Sequence, residues 1–394
     1  MNPPFRRVLV VVLDGVGVGA LPDAAAYGDA GANTLLHVLQ RSPSLRLPNF
    51  ERFGLGRLVP AAGLVSGEGL AACGRMAEKA AGKDSTAGHW ELMGVTLEQP
   101  LPTYPQGFPE EIISAFTAAT GLAVLGNRAA SGTDIIRDLG EEHLRSGLPI
   151  IYTSSDSVFQ IAAHEEVIPV EKLYDLCRKA RELLNPFRVG RVIARPFTGR
   201  DAAGFRRTAG RHDFSLPPIA PTLLDRLQQA GVPVVGIGKI GDLFAGRGLD
   251  ESLTTASNAD GMAATLECLE RVDNGLIIVN LVDFDMLWGH RLDVSGFADG
   301  LAAVDAWLPQ LTARLRSDDL LLITADHGCD PTTPGTDHSR EYVPLLAWFP
   351  GLRPDIDLGT RAGFADVAAT VGEALGCTCP AGRSFLPELK AGRV

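Results

Sequence analysis

The chain has 394 residues, 45% of them apolar and 21% charged, and a formal net charge of -11. That length favours two domains over a single core, and the composition is ordinary for a soluble globular protein. The acidic balance argues against nucleic acid or an anionic membrane as a partner, while a local basic or metal-bearing pocket can still take a small anion.

In chain order, the opening segment MNPPFRRVLVVVLDGVG does not read as a signal peptide, because its apolar run is short and meets Asp14. Val8–Leu13 reads instead as a buried strand. Gly15, Gly17 and Gly19 have the wrong spacing for a dinucleotide fingerprint. Asn33 is placed to cap a helix through Leu39. Further on, GKDSTAGHWE holds two hydroxyls, Ser85 and Thr86, among small residues. Taken alone it reads as a surface turn with His89 and Trp90 packed beneath. Beside a metal pair, a hydroxyl there could serve as a nucleophile.

Proline then clusters twice, at Pro100, Pro102, Pro105 and Pro109 and at Pro217, Pro218 and Pro221. Such stretches interrupt helices and central strands and suit crossings between domains. The expected organisation is a core of residues 1–99 and 219–394 with a domain of residues 100–218 inserted. Within the insert, Pro109 opens a helix ending near Gly121. Ile150–Thr153 and Val189–Ala194 read as strands and Val170–Leu184 as a helix. The insert also carries seven arginines from Arg188 to Arg211 against one acid, Asp201. Most of that run suits a solvated face, with two or three guanidinium groups left to meet phosphate.

Beyond the insert, Thr222–Ala230 reads as a helix that stops at Gly231, and Val232–Ile237 as a strand. The helix Asn258–Arg271 precedes the strand Leu276–Val282. A helix over Leu301–Arg316 precedes the strand Leu320–Ala325. Leu345–Phe349 is a further strand and Ala365–Ala374 a helix. Helices alternating with buried strands predict an α/β core whose sheet is parallel or mixed and covered on both faces, and the insert mixes both element types. No apolar stretch approaches a membrane span. The six cysteines show no CxxC, so they read as reduced thiols in the cytoplasm.

Three of the predicted strands run into aspartates. Val8–Leu13 meets Asp14; Leu276–Val282 meets Asp283 and Asp285, with His290 behind them; Leu320–Ala325 meets Asp326 and His327, and the loop beyond carries Asp337 and His338. In open α/β sheets ligands bind beyond the carboxyl ends of strands. Carboxylates and imidazoles gathered there suit Mn2+ or Zn2+, and Asp14, Asp285, His290, Asp326, His327 and His338 are enough donors for two ions. Two ions roughly 3.5–4 Å apart can clamp both oxygens of a phosphoryl transfer. Asp283 and Asp285 face the same side of an extended chain, so spacing leaves the choice between them open. Cys329 suits a small filler in a turn better than a soft ligand.

The segments GKDSTAGHWELMG, NRAASGTDII, SSDSVFQIAAHEE, GRVIARPF, GIGKIGD, VNLVDFDMLWGHR and ITADHGCDP…PGTDHSREYVPLLA together resemble the phosphopentomutases, metal-dependent mutases of the alkaline phosphatase superfamily. The likeness runs from the first strand almost to the carboxyl terminus and includes the insert. It implies an alkaline-phosphatase-like core with a mostly parallel sheet flanked by helices, plus an inserted α+β cap. It implies exchange between ribose 1-phosphate and ribose 5-phosphate, and their deoxyribose counterparts, through a pentose bisphosphate. It further implies two Mn2+ ions, one held by Asp14, Asp326, His327 and the nucleophile, the other by Asp285, His290 and His338. Ser154 and Asp156 match cap residues that meet the sugar. Arg191, Arg207 and Lys239 match phosphate-binding positions. A hexose bisphosphate such as glucose 1,6-bisphosphate would charge the nucleophile. The family has threonine directly after GKD, where this chain has Ser85, and Thr86 is one residue away. The rival enzyme is a phosphatase or phosphodiesterase on the same fold. A metal-storing or phosphosugar-sensing protein would bind the same ligands without turnover.

Overall fold

The computed structural model describes residues 3–60, 64, 69–154 and 157–392. The chain forms two compact units, one from Met1–Gln99 with Pro218–Val394 and one from Pro100–Pro217.

The first unit is built on an eight-stranded sheet. Its strands lie in the order Glu251–Leu253, Val234–Ile237, Gly275–Leu281, Arg7–Leu13, Asp319–Thr324, Val343–Trp348, Ala72–Met76, Asp357–Arg361. Only Val343–Trp348 runs against its neighbours, so the sheet is mostly parallel. Every residue of Arg7–Leu13, Gly275–Leu281 and Asp319–Thr324 is buried. These three strands show no alternation of apolar and polar residues because helices cover both faces. Their register aligns their carboxyl ends: Leu13 pairs with Leu281, and Val12 with Thr324. Two residues further along, Asp14 stands level with Asp326.

One buried charge braces the opposite end of these strands. Arg7 is fully buried on the central strand and pairs with Asp319 across the sheet. Its two Nη1 hydrogens go to Leu269 O at 2.7 Å and Val272 O at 2.6 Å, so this guanidinium is hydrogen-bonded on three sides.

Several helices lie where capping residues predict. Asn33 accepts from Leu36 N and starts Thr34–Arg41. Thr222 and Asp225 form a capping box on Leu223–Gln229. The helix expected over Leu301–Arg316 instead spans Val294–Thr312. Asp293 caps it well upstream by accepting from Gly296 N at 2.9 Å, and Pro309 lies inside it without ending it. Proline offers no N–H to the carbonyl four residues back. That carbonyl, Asp305 O, accepts from Asn49 Nδ2 at 2.9 Å instead. The Asp305 carboxylate in turn accepts from the backbone N of Asn49 and Phe50, at 3.0 and 2.8 Å.

The second unit carries a mixed sheet in the order Leu125–Ala129, Ile150–Thr153, Val158–His164, Arg191–Thr198, Arg206–Arg207, with His212–Ser215 also paired to Arg191–Thr198. Phe108, Phe116, Phe159, Leu173 and Leu184 fill one face beneath the helices Glu110–Thr120 and Val170–Leu184. Ile135, Ile136, Tyr152 and Phe197 fill the other beneath Gly132–Ser146. Pro109 is the N-cap of its helix rather than its first residue, and Gly121 closes that helix at φ 72°. The strand expected at Val189–Ala194 begins at Arg191 and continues to Thr198. Among the described residues no helix is long and apolar enough to cross a membrane.

Replacing Asn49 with Ala leaves the Asp305 carbonyl and one carboxylate oxygen short of a donor. A loss of about 1–3 kcal/mol in denaturant unfolding is expected; a change below about 0.5 kcal/mol would put Asn49 among ordinary surface positions.

Candidate metal centre

The aligned strand ends bring the carboxylates together. Asp14 is buried at the end of Arg7–Leu13, and its Oδ2 accepts from Asn280 Nδ2 at 2.9 Å. Gly15 follows at φ 82°, and its N–H donates to Asp326 Oδ1 at 3.1 Å. A side chain at Gly15 would put a Cβ 2.8 Å from Cys329 Cβ, so only glycine lets the two turns touch. His327 Nδ1 donates to Gly328 O at 3.0 Å. That bond turns Nε2 inward, 3.3 Å from Asp14 Oδ1 and 3.3 Å from Asp326 Oδ2.

The second cluster depends on an irregular helix. Phe284–Gly289 is a π-helical turn, and His290 N donates to Asp285 O at 3.1 Å. An ordinary α-helix would rotate residues five apart away from each other, while the wider π turn brings them to one side. His290 Nε2 lies 3.2 Å from Asp285 Oδ1, and His338 Nε2 lies 3.1 Å from the same oxygen. Of the two acids, it is Asp285 whose carboxylate faces the histidines. Asp283 Oδ2 accepts from Asn258 N at 2.7 Å, and Asp283 N donates to Asn258 Oδ1 at 2.9 Å, which commits it to anchoring the helix Asn258–Arg271.

Among the described residues, three overlapping sets of donor atoms each gather within 4.8 Å: Asp14, Asp326 and His327; Asp285, His327 and His338; and Asp285, His290 and Cys329. Asp14 Oδ1, Asp285 Oδ1, Asp326 Oδ2 and His338 Nε2 are buried and make no hydrogen bond of ordinary geometry to any described residue, despite the 3 Å approaches. Buried carboxylate oxygens left in that condition are costly unless a cation meets them. The donor set therefore fits divalent ions.

Charge in the pocket is strongly coupled. Burial works against ionised Asp14, but Lys239 and the His327 ring outweigh it and hold its carboxyl below the usual range. Burial and Asp14 both work against ionised Asp285, yet His338 and His327 keep it depressed as well. Burial disfavours a charged His327, but Asp326, Asp14 and Asp285 hold its pKa well above the ordinary histidine value. A metal ion at Nε2 would compete with that proton and release it. The Cys329 thiol is pushed up by burial and by Asp285 and Asp14, which matches a neutral filler against Gly15 and Gly289.

Ser85 does not sit in a turn. It is the first residue of the helix Ser85–Leu92, capped by Asp84, which accepts from Thr86 N and Ala87 N at 3.0 and 3.1 Å. Its Oγ lies 3.1 Å from His327 Nε2. The helix comes this near because of Gly88, where a Cβ would be 2.1 Å from Asp326 O. The preceding loop is held by Arg340, which donates to Ala80 O, Gly82 O and Glu78 O at 2.8, 2.6 and 3.1 Å and pairs with Glu78 at 2.8 Å. Arg340 and Asn280 carried no sequence signal beyond lying close to His338 and Asp283. Lys239, at the N-cap of Ile240–Leu243, brings Nζ within 3.9 Å of Asp285 Oδ2.

The remaining expected residues belong to the second unit. Ser154 follows Ile150–Thr153, half-buried, and Asp156 lies outside the described residues. Arg207 Nη2 donates to Thr133 Oγ1 at 2.9 Å. Arg191 lies 3.6 Å and Arg211 2.8 Å from Asp213, an acid just beyond the basic run that offsets part of it.

The model of the metalloenzyme superfamily matches residues 6–378. The chain is 55% identical over 386 residues to a phosphopentomutase of Syntrophotalea carbinolica, covering 98% of each chain. It is 56% identical over 391 residues to one of Anaeromyxobacter dehalogenans, covering 99% of this chain and 100% of that one. At that identity over nearly its whole length, the chain belongs to the phosphopentomutase family of isomerases, within the metalloenzyme superfamily.

Proposed function

We propose that this protein interconverts ribose 1-phosphate and ribose 5-phosphate, and their 2-deoxyribose equivalents, through phosphorylated Ser85 and a pentose bisphosphate. The observation that carries this is the Ser85 hydroxyl at a helix N-terminus, 3.1 Å from His327 Nε2 and beside the unsatisfied carboxylates. Asp14, Asp326, His327 and Ser85 would hold one of two Mn2+ ions, and Asp285, His290 and His338 the other. When bound, the ions supply positive charge for the transferring phosphoryl oxygens and favour the Ser85 alkoxide.

A hexose bisphosphate such as glucose 1,6-bisphosphate charges Ser85 at the start. The free hydroxyl of a bound pentose phosphate then attacks the phosphorus. Its bond to phosphorus forms as the bond to Ser85 Oγ breaks, and the sugar hydroxyl loses a proton while the serine oxygen regains one. The bisphosphate next presents its other phosphate, and Ser85 takes it back. By the family resemblance, Lys239 in the first unit and Arg191 and Arg207 in the insert are each assigned to phosphate binding, and Ser154 and Asp156 to the sugar. The positive end of the Ser85–Leu92 helix dipole favours negative charge on the serine oxygen. Water is the competing acceptor, and the insert, residues 100–218, acts as a cap that excludes it. Such an activity serves nucleoside catabolism in the cytoplasm.

Supplied with ribose 1-phosphate, Mn2+ and a trace of hexose bisphosphate, the protein should yield ribose 5-phosphate without inorganic phosphate. Phosphate released as fast as substrate disappears would make it a phosphatase instead. Labelled hexose bisphosphate should mark the wild type and Thr86→Ala but not Ser85→Ala; the reverse pattern moves the nucleophile by one residue. Metal analysis of Asp326→Asn and His290→Ala should each find about one Mn2+ lost from a pair, and full occupancy in both variants would contradict the ligand assignment.

A further inference from the structure

A histidine that the proposed mechanism does not use lies directly under the nucleophile. His89 is fully buried on the helix Ser85–Leu92, four residues after Ser85. Its Nδ1 lies 2.9 Å from Ser85 O. A backbone carbonyl only accepts, so Nδ1 carries the hydrogen in that bond. The same nitrogen stands 3.0 Å from Asp326 Oδ2. With Nδ1 donating, Nε2 offers its lone pair to Asn280 Nδ2, 3.3 Å away. The second hydrogen of that amide goes to Asp14 Oδ2 at 2.9 Å. A closed line of hydrogen bonds thus runs from the Ser85 carbonyl through His89 and Asn280 to the Asp14 carboxylate. All of its side chains are buried, so neither His89 nor Asn280 is available to touch a sugar phosphate.

We infer that His89 is a positioning residue that fixes the Ser85 backbone against Asp14 and Asp326. The inference rests on Ser85 being the nucleophile. Ser85 is the first residue of its helix, so its own N–H has no helical carbonyl to meet. Its neighbour in the cap, Asp84, holds the N–H groups of Thr86 and Ala87, and the Ser85 carbonyl is held by His89. Without that second hold the serine oxygen can drift from its line of attack, and a displacement of about 1 Å at a reacting atom can cost about a hundredfold in rate. Substrate affinity should not change, because the ring does not face the substrate.

The test uses the full-length Mn2+-loaded protein, assayed with ribose 1-phosphate and a trace of hexose bisphosphate. His89→Phe should lower kcat by about 10- to 100-fold, with KM within about twofold and Mn2+ content unchanged. His89→Asn places an amide nitrogen near the position of Nδ1 and should recover most of that loss. His89→Gln places one near Nε2 and should recover little. An unchanged kcat in His89→Phe overturns the inference, as does a loss carried by KM or by missing Mn2+. His89→Gln matching or exceeding His89→Asn also overturns it, and that comparison decides alone should the phenylalanine variant fail to fold. Phosphoryl label persisting in Ser85→Ala would instead refute the parent proposal, a result that none of the His89 variants can mimic.

Discussion

Three carboxylates that repel one another are buried at the same end of one sheet. Asp14, Asp285 and Asp326 are each at most 3% exposed. Within the chain itself, their opposing charge comes from His327, His338 and Lys239. Charges buried this way are tolerated only when matched, and some of their oxygens stay unmatched by the protein. The rest of the first unit supplies the stiffness that keeps this group from relaxing. The sheet register sets the strand ends level, and Arg7 ties the far ends of the same strands to Asp319 and to the helix Asn258–Arg271. The cost of crowding is met by the fold, and the remaining attraction is directed at cations.

Close approach is the second requirement, and it is met by omitting side chains. Gly15, Gly88 and Gly289 stand where a Cβ would strike Cys329, Asp326 or its neighbours. Each marks a contact between segments distant in sequence: the first strand's turn, the serine helix and the π-helical turn all close on the loop after Asp326. Gly88 and His89 do opposite things on one helix. The glycine lets the helix approach Asp326, and the histidine then limits how it can move. Arg340 does the same for the loop before Ser85 and lies two residues from His338, so the two segments that flank the pocket share one anchor.

What the sequence made legible follows from how local each cause is. The central strands were plain because they are buried on both faces and read as unbroken apolar runs. The convergence of Asp14, Asp285, Asp326 and the histidines followed from placing them at strand ends. Asp285 could not be chosen over Asp283, because the choice depends on a π turn and on Asn258, neither of which leaves a periodic mark. The strand Ala72–Met76 was invisible for a similar reason. Its sequence ACGRM has little strand character, and it is held between two strands, with Gly74 pressed so near the next strand that a Cβ would be 2.6 Å from Gly359 O. The helix Val294–Thr312 starts upstream of the expected Leu301 because Asp293 caps it there. The donor that rescues the proline, Asn49, lies far away in the chain. The roles of Ser154, Arg191, Arg207 and Lys239 came from family resemblance alone. Nothing in their spacing announces a sugar or a phosphate.

The serine at position 85 shows how such roles shift within a family. Threonine carries a γ-methyl group that restricts χ1. Serine lacks it and gains rotational freedom at the atom that, on the proposed mechanism, faces the phosphorus. The chain around it is correspondingly well held. Asp84 caps the helix start, His89 takes the carbonyl, and His327 Nε2 stands 3.1 Å from the hydroxyl. On the proposal that Ser85 is the nucleophile, a side chain oriented by its neighbours needs less orientation of its own. Buried partners would then supply the ordering that the methyl group gives, and serine would present the same oxygen at the same helix N-terminus.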